Sequence, residues 1–291
     1  MAPVLLSLGE ILWDQYPSRR LLGGAPFNLA AHAARLGFAP YFISAVGNDA
    51  LGGEALARAR ELGVDMTYTR RHPQWPTGIV DVRLDSDGHP SYHLRRPSAW
   101  EEPSLSACQA QALQALRTQW LVCGTLQQTC PQARASRLAL GGIPIFYDVN
   151  LRPGFEDPAT VDELLRAATV VKCNDAELAW LTRELSLDGD PAQALLRRYP
   201  LTALCVTLGA DGCQIHASGD TVHARPPAIN TSDTVGAGDA FSAALLHGFT
   251  QQWPLDQTAR FANALGSLVA SRPGAIPDWT REELYTAASL Q

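Results

Sequence analysis

Short apolar runs alternate along this chain with longer stretches, the first two closed by glycine, and that alternation restricts it to one class of fold. Val4–Leu8 is a buried-strand run ending in Gly9-Glu10. Pro26 then stands where the first turn of a helix tolerates proline. It opens Phe27–Leu36, and Gly37 ends that helix. Tyr41–Val46 reads as the next strand, and Leu51–Leu62 as the next helix, closed by Gly63. Later strands are expected at Trp120–Cys123, Ile143–Val149, Thr169–Cys173, Leu201–Thr207, Gly212–His216 and Val222–Ala224. Helices are expected near Ser106–Leu116, Pro131–Leu140, Val161–Ala167, Asp175–Leu185 and Ala192–Arg198. Gly238–Phe249, Gln257–Ala270 and Arg281–Ser289 finish the chain as helices. Strands alternating with helices make a mostly parallel α/β sheet covered on both faces.

The rhythm breaks between Asp65 and Arg96. Gly78–Leu84 alternates, Asp85-Ser86-Asp87-Gly88 has turn chemistry, and Ser91–Arg95 alternates again, which describes a hairpin. With Ile11–Leu22 it is expected to form a small separate sheet projecting from the main layer.

Chemistry concentrates near the C-terminal end, in Thr234-Val235-Gly236-Ala237-Gly238-Asp239-Ala240-Phe241. Here a glycine turn opens into an apolar helix. Glycines let backbone N–H groups point into one space, and the first N–H groups of a helix have no internal partner and carry partial positive charge. Together they make an anion pocket. An acid beside such a pocket repels a bound phosphate, so Asp239 has a reason to be there if it takes a proton from the group that attacks the phosphate. Aspartate and glycine also serve as a plain helix cap and tight turn.

Composition narrows how phosphate is held. Lys172 is the only lysine among 291 residues, so the lysine P-loop is absent, and backbone N–H groups, arginine and metal must do that work. A formal charge of -6 argues against nonspecific nucleic-acid binding. The six cysteines show no C-x-x-C pair and no metal-ligand spacing. No apolar run reaches transmembrane length. Pro3–Leu8 lacks the charged start and cleavage site of a signal peptide, so the cytoplasm is the expected compartment.

In open α/β sheets, ligands bind beyond the carboxyl ends of the strands. Glu10 and Asp14 follow the first strand. Asp148 sits at a strand end with Asn150 and Arg152 after it, and Asn174-Asp175-Ala176-Glu177 and Gly209-Ala210-Asp211-Gly212 follow two more. Asn174 and Glu177 also have capping-box spacing, and Gly209–Gly212 also suits a hairpin turn. Their shared position at successive strand ends favours a site.

At this point the chain resembles a known family. Leu22-Gly23-Gly24-Ala25-Pro26-Phe27-Asn28 and Asp233-Thr234-Val235-Gly236-Ala237-Gly238-Asp239-Ala240-Phe241 are similar to the two signatures of the ribokinase-like (PfkB) carbohydrate kinases, most of all the fructokinases. Gly9-Glu10-Ile11-Leu12-Trp13-Asp14, Val46-Gly47-Asn48-Asp49, Asp148-Val149-Asn150-Leu151-Arg152 and Thr207–Gly212 add to it. The resemblance spans essentially the whole chain.

It implies a three-layer α/β fold with a mostly parallel, Rossmann-like sheet, one domain over 1–291, and a β lid from about 11–22 and 66–98. It also implies ATP and Mg²⁺, and transfer to a primary hydroxyl. Asp239 would be the base, the Ala237, Gly238 and Asp239 N–H groups would form the anion hole, and Gly236 would belong to the same catalytic turn. Arg152 would lie near the transferring phosphate. The Asn174–Glu177 segment would support Mg²⁺ and phosphates, with Glu177 acting on the metal indirectly. Thr207, Gly209 and Gly212 would contact nucleotide, and Asn263 would lie near adenine. Asp14, Gly23, Gly24 and Asn28 would bind sugar. A monovalent cation such as K⁺ would sit at the loop of Asp233 and Val235, where valine replaces a frequent threonine and leaves only a backbone carbonyl.

A neutral ketose, fructose, is the first choice of substrate. A 2-keto-3-deoxygluconate kinase is the main competitor. Its carboxylate would call for a cation, which Arg95 and Arg96 could supply at the end of the lid hairpin. Ribose and nucleosides stay open, with Trp13, Tyr92 and Trp100 as aromatics that either stack on a base or pack. An NAD-dependent oxidoreductase should show G-x-G-x-x-G after the first strand, and only Gly9 is there. A catalytically silent sugar-binding protein would have no need of Asp239. The uncovered face of the lid is a dimer contact in this reading.

Overall fold

The computed structural model describes residues 2–84, 90–217 and 219–290. The N-terminal part runs β1 (Val4–Leu8), β2 (Leu12–Gln15), β3 (Arg20–Gly23), α1 (Ala25–Arg35), β4 (Ala39–Gly47), α2 (Ala50–Glu61), β5 (Thr69–His72), β6 (Gly78–Leu84) and β7 (Pro90–Leu94). The middle runs α3 (Ala107–Ala115), β8 (Thr118–Gly124), α4 (Thr125–Gln128), α5 (Pro131–Ala139), β9 (Ile145–Asp148), α6 (Pro158–Ala167), β10 (Val170–Asn174), α7 (Asp175–Glu184) and α8 (Pro191–Arg198). The remainder is β11 (Ala203–Thr207), β12 (Cys213–Ala217), β13 (Asp220–Ala224), α9 (Ala237–Thr250), α10 (Leu255–Ala270) and α11 (Arg281–Ala287).

Nine strands form one sheet in the order β13-β12-β11-β10-β9-β8-β1-β4-β5. It is parallel from β11 through to β5; β12 alone runs against the others, pairing antiparallel with both β11 and β13. Strands covered on both faces can be apolar throughout, and Leu5, Leu6 and Leu8 of β1 are fully buried. One face packs on α1, α9, α10 and α11, with Leu29, Leu245, Phe261 and Leu284 in a single core. The other packs on α3, α6, α7 and α8 through Leu113, Leu164, Leu181 and Leu195. This is the expected three-layer α/β architecture.

A second sheet orders its strands β3-β2-β6-β7. β2 pairs antiparallel with β3 but parallel with β6, and β6 and β7 form the expected antiparallel pair. The turn expected at Asp85–Gly88 lies outside the described residues. Thr69–His72, inside the stretch expected to build the small sheet, instead pairs with β4 as an edge of the large one. No helix of the described residues is long and apolar enough to cross a membrane.

Candidate active site

The chain order reverses between β1 and β8. From β1 it proceeds outward through β4 and β5, then returns to β8 and proceeds the other way through β9, β10 and β11. Helices leave opposite faces at such a point and open a crevice at the carboxyl ends of the strands. Glu10, Asp148, Asn174 and Thr207 stand at those ends.

The first turn of α9 reaches this crevice. Gly236 caps it with φ 78 and ψ -7, left-handed geometry that glycine adopts without strain. A Cβ there would stand 2.6 Å from the Ala275 Cα. No side chain caps α9. The Ala240 N–H reaches Gly236 O at 2.9 Å and the Ala237 N–H makes a longer bond, 3.3 Å, to Thr234 O. The Gly238 and Asp239 N–H groups have no acceptor among the described residues. Two of the three donors expected in the anion hole are therefore open, and Ala237 is partly engaged.

Asp239 is partly buried, and its Oδ2 accepts a 2.8 Å bond from Asn28 Nδ2. Burial pushes its carboxyl up to about 7; Asp148 acts in the same direction, against the Asn28 bond, Lys172 and Arg152. A carboxyl poised there exchanges protons readily near neutrality.

Asn28 belongs to the first turn of α1, which enters through Gly24 at φ 116; a Cβ on Gly24 would stand 2.3 Å from Glu10 O. Gly24 offers no side-chain cap. Glu10, packed against Gly24, takes that place, its Oε1 accepting the Ala25 N–H at 3.1 Å. Sequence reasoning marked Glu10 only by its position after β1 and missed this cap.

Asn28 Oδ1 is buried without a partner among the described residues. A Cβ on Gly23 would lie 2.8 Å from Asp14 Oδ2 and 4.0 Å from Asn28 Oδ1. Two oxygen acceptors thus face one small space beside Asp239, which suits the hydroxyls of a sugar. Burial raises Asp14 to about 6, with Arg152 pulling the other way. Arg152 is exposed, acts electrostatically on Glu10, Asp14 and Asp239, and makes no ion pair among the described residues. Arg95 is placed differently. Its Nε and Nη2 grip Asp81 at 2.8 and 2.6 Å on the small sheet, and Arg96 Nε donates to Glu101 at 3.0 Å.

Asn174 and Glu177 form the capping box read from their spacing, with bonds of 2.8 and 2.9 Å. The second Glu177 oxygen accepts the Leu151 N–H at 2.9 Å, which fixes the loop carrying Arg152. Thr207 lies beside Asn174 in the β10–β11 register. Gly209, at φ 58, begins the turn from β11 to β12. Gly212 and Asn263 meet at Ala224, whose carbonyl accepts from Asn263 Nδ2 at 2.8 Å. Asn174, Thr207 and Gly209 thus stand at or just past the ends of β10 and β11, and Asp14, Gly23 and Asn28 come together near Asp239.

Among the described residues no three His, Cys, Asp or Glu are grouped to hold a metal. Glu177 keeps free lone pairs beyond its two backbone bonds, which suits Mg²⁺ held through water. Asp233 accepts from the Val235 N–H at 3.0 Å and the Gly274 N–H at 2.9 Å, joining two loops; Val235 offers only its carbonyl. Trp13 and Trp100 are buried packing residues, whereas Tyr92 is 55% exposed.

A model of the pfkB family carbohydrate kinases matches residues 18–281. Fructokinase-1 of Oryza sativa subsp. japonica is 30% identical over 310 residues, covering 96% of this chain and 95% of that protein. The fructokinase of Xylella fastidiosa with bound ATP matches in fold with a TM-score of 0.86 at 24% identity, over 99% of both chains. The fructokinase of Vibrio cholerae O395 in its fructose, ADP and calcium ion bound form gives 0.82 at 25% identity, covering 98% and 99%.

Proposed function

The chain belongs to the pfkB family of carbohydrate kinases and is an ATP-dependent sugar kinase, and from that premise we propose that it phosphorylates a primary hydroxyl of fructose with Asp239 as the base. One observation carries the base assignment: the Asp239 carboxyl is held by Asn28 beside two unpaired N–H groups at the start of α9. Phosphoryl transfer needs in-line placement and stabilisation of charge on the equatorial oxygens. Asp14 and Asn28 would anchor the sugar hydroxyls. Asp239 would take the proton as the sugar oxygen bonds to the γ-phosphorus and the bond to ADP breaks. Such a base contributes about 10²–10⁴-fold. The open N–H groups would receive the developing charge without reorganising, and Arg152, which makes no ion pair among the described residues, would neutralise the transferring group.

Thr207, Gly209, Gly212 and Asn263 would seat the nucleotide. Mg²⁺, when bound, would offset triphosphate charge, with Asn174 and Glu177 supporting it through water. A K⁺ ion would be held at the turn of Asp233 and Val235. The small sheet of β2, β3, β6 and β7 would act as the lid of a single domain, excluding water that competes as acceptor. Exposed Tyr92 on that sheet supports a homodimer through the lid, read as doubled mass in sedimentation. The cytoplasm is the proposed compartment.

A neutral sugar is favoured over an acid sugar because Arg95 and Arg96 already grip Asp81 and Glu101. An ADP-release assay over fructose, ribose and 2-keto-3-deoxygluconate tests the substrate: fructose should give the highest kcat/KM, and a preference for the acid sugar would overturn the choice. Asp239→Asn should lose turnover with sugar and ATP affinity nearly intact; near-normal kcat would remove Asp239 from the role of base.

A further inference from the structure

Lys172 is the only lysine of the chain, and nothing above gives it a task. It is buried, opposite Asp148 in the β9–β10 register, with Nζ 3.1 Å from Asp148 Oδ1. The other Asp148 oxygen accepts from Ser242 Oγ at 2.9 Å, and that hydroxyl also lies 3.0 Å from Gly238 O, one turn back along α9. A Cβ on Gly238 would stand 3.5 Å from Lys172 Nζ. An ammonium and a carboxylate therefore lie directly beneath the turn that presents Asp239. Replacing a buried ion pair with apolar residues is often neutral or stabilising, so stability alone gives little reason for charge in this place.

We propose that Lys172 is a positioning residue: held beneath the first turn of α9 by Asp148 and Ser242, its ammonium keeps the Asp239 carboxylate ionised while Asp148 opposes it. The proposal rests on Asp239 being the base and explains how that base stays ionised in a crevice that disfavours charge. The groups facing Asp239 come from several elements. Asn28 reaches it from α1, Asp148 from the end of β9, Lys172 from β10, and Arg152 from the loop after β9. Lys172 in turn faces Asp148, Glu177 and Asp239; burial works against its charge and these three acids outweigh that. An opposite charge close by favours ionisation of a carboxyl and a like charge opposes it.

The two partners should therefore move the reaction's pH dependence in opposite directions, which a purely structural pair would not do. The experiment is kcat/KM for fructose against pH, at saturating ATP and Mg²⁺, in wild type, Lys172→Met and Asp148→Asn. Lys172→Met should carry the acid limb upward by about one pH unit and Asp148→Asn should carry it downward. An unmoved limb, or both limbs moving the same way, overturns the proposal. If Lys172→Met does not fold, Asp148→Asn decides alone, and a limb that stays put or rises counts against it. Full turnover in Asp239→Asn would instead overturn the base assignment, a separate outcome.

Discussion

Asp239 and Asp14 sit a few ångströms from the same glycine-lined space, yet their environments prepare them for different work. Asp239 faces donors that gain value as charge develops, and its carboxyl lies at about 7. The acid limb of kcat/KM should fall near there, with activity rising as pH increases through it, because only the ionised form accepts a proton. A limb near the ordinary carboxylate range of about 4 would detach the profile from Asp239. Asp14 offers acceptors without a neighbouring anion hole, so Asp14→Ala should raise the sugar KM about 10–100-fold, the worth of a charged hydrogen bond, with kcat changed far less. An unchanged KM would remove Asp14 from the sugar site. Both aspartates were legible from position alone, one before an apolar helix and one after the first strand. The Asn28–Asp239 bond was not, because it joins residues separated by 211 positions with no local signal on either. Lys172 stood out by its rarity, but its partner Asp148 follows only from strand register.

At the level of elements, the helix end at Gly236 depends on a loop from the other side of α10. A Cβ on Gly236 would meet the Ala275 Cα and O at 2.6 Å. His32 of α1 holds that loop, its Nε2 on Ala275 O at 2.9 Å and its Nδ1 accepting from Trp279 at 3.1 Å. Gly236→Ala would force a left-handed residue against backbone and should lower stability by about 1–3 kcal/mol in urea unfolding. Its kcat should fall more than its sugar KM rises, since the anion hole shifts while Asp14 stays in place. Wild-type stability and kcat would show the packing to be slack. Most elements were readable from period and punctuation, because buried parallel strands are apolar runs and the first two helices, α1 and α2, are closed by Gly37 and Gly63. β5 was not: Thr69-Arg70-Arg71-His72 carries no apolar alternation and pairs as a charged edge. The four residues of α4 span too little chain to show a period.

Across the whole molecule, the preparation of the site works against the stability of the empty fold. Burial raises Asp239 to about 7 and Asp14 to about 6, and it also raises Glu10 and Glu177. A carboxyl with a higher pKa folded than unfolded binds protons more tightly in the native state, so its contribution favours folding below the native pKa and is lost as pH rises through it. His32 runs the other way. Buried, it is lowered to about 4 and stays neutral, so its contribution is full above about 6.5 and lost as pH falls toward about 4. The ligand-free protein should therefore be less stable at about pH 8 than at about pH 6.5, a slope opposite to that of ordinary paired carboxylates. Asp239→Asn removes one of these raised acids in a nearly isosteric form. It should gain about 1–3 kcal/mol at about pH 8 and flatten the slope above pH 6, while losing turnover. Urea unfolding of both proteins at the two pH values, without ligands, reads this directly. An Asn variant less stable than wild type at the higher pH would mean that the ionised carboxylate is stabilised by its surroundings, and that the crevice does not hold its base under strain.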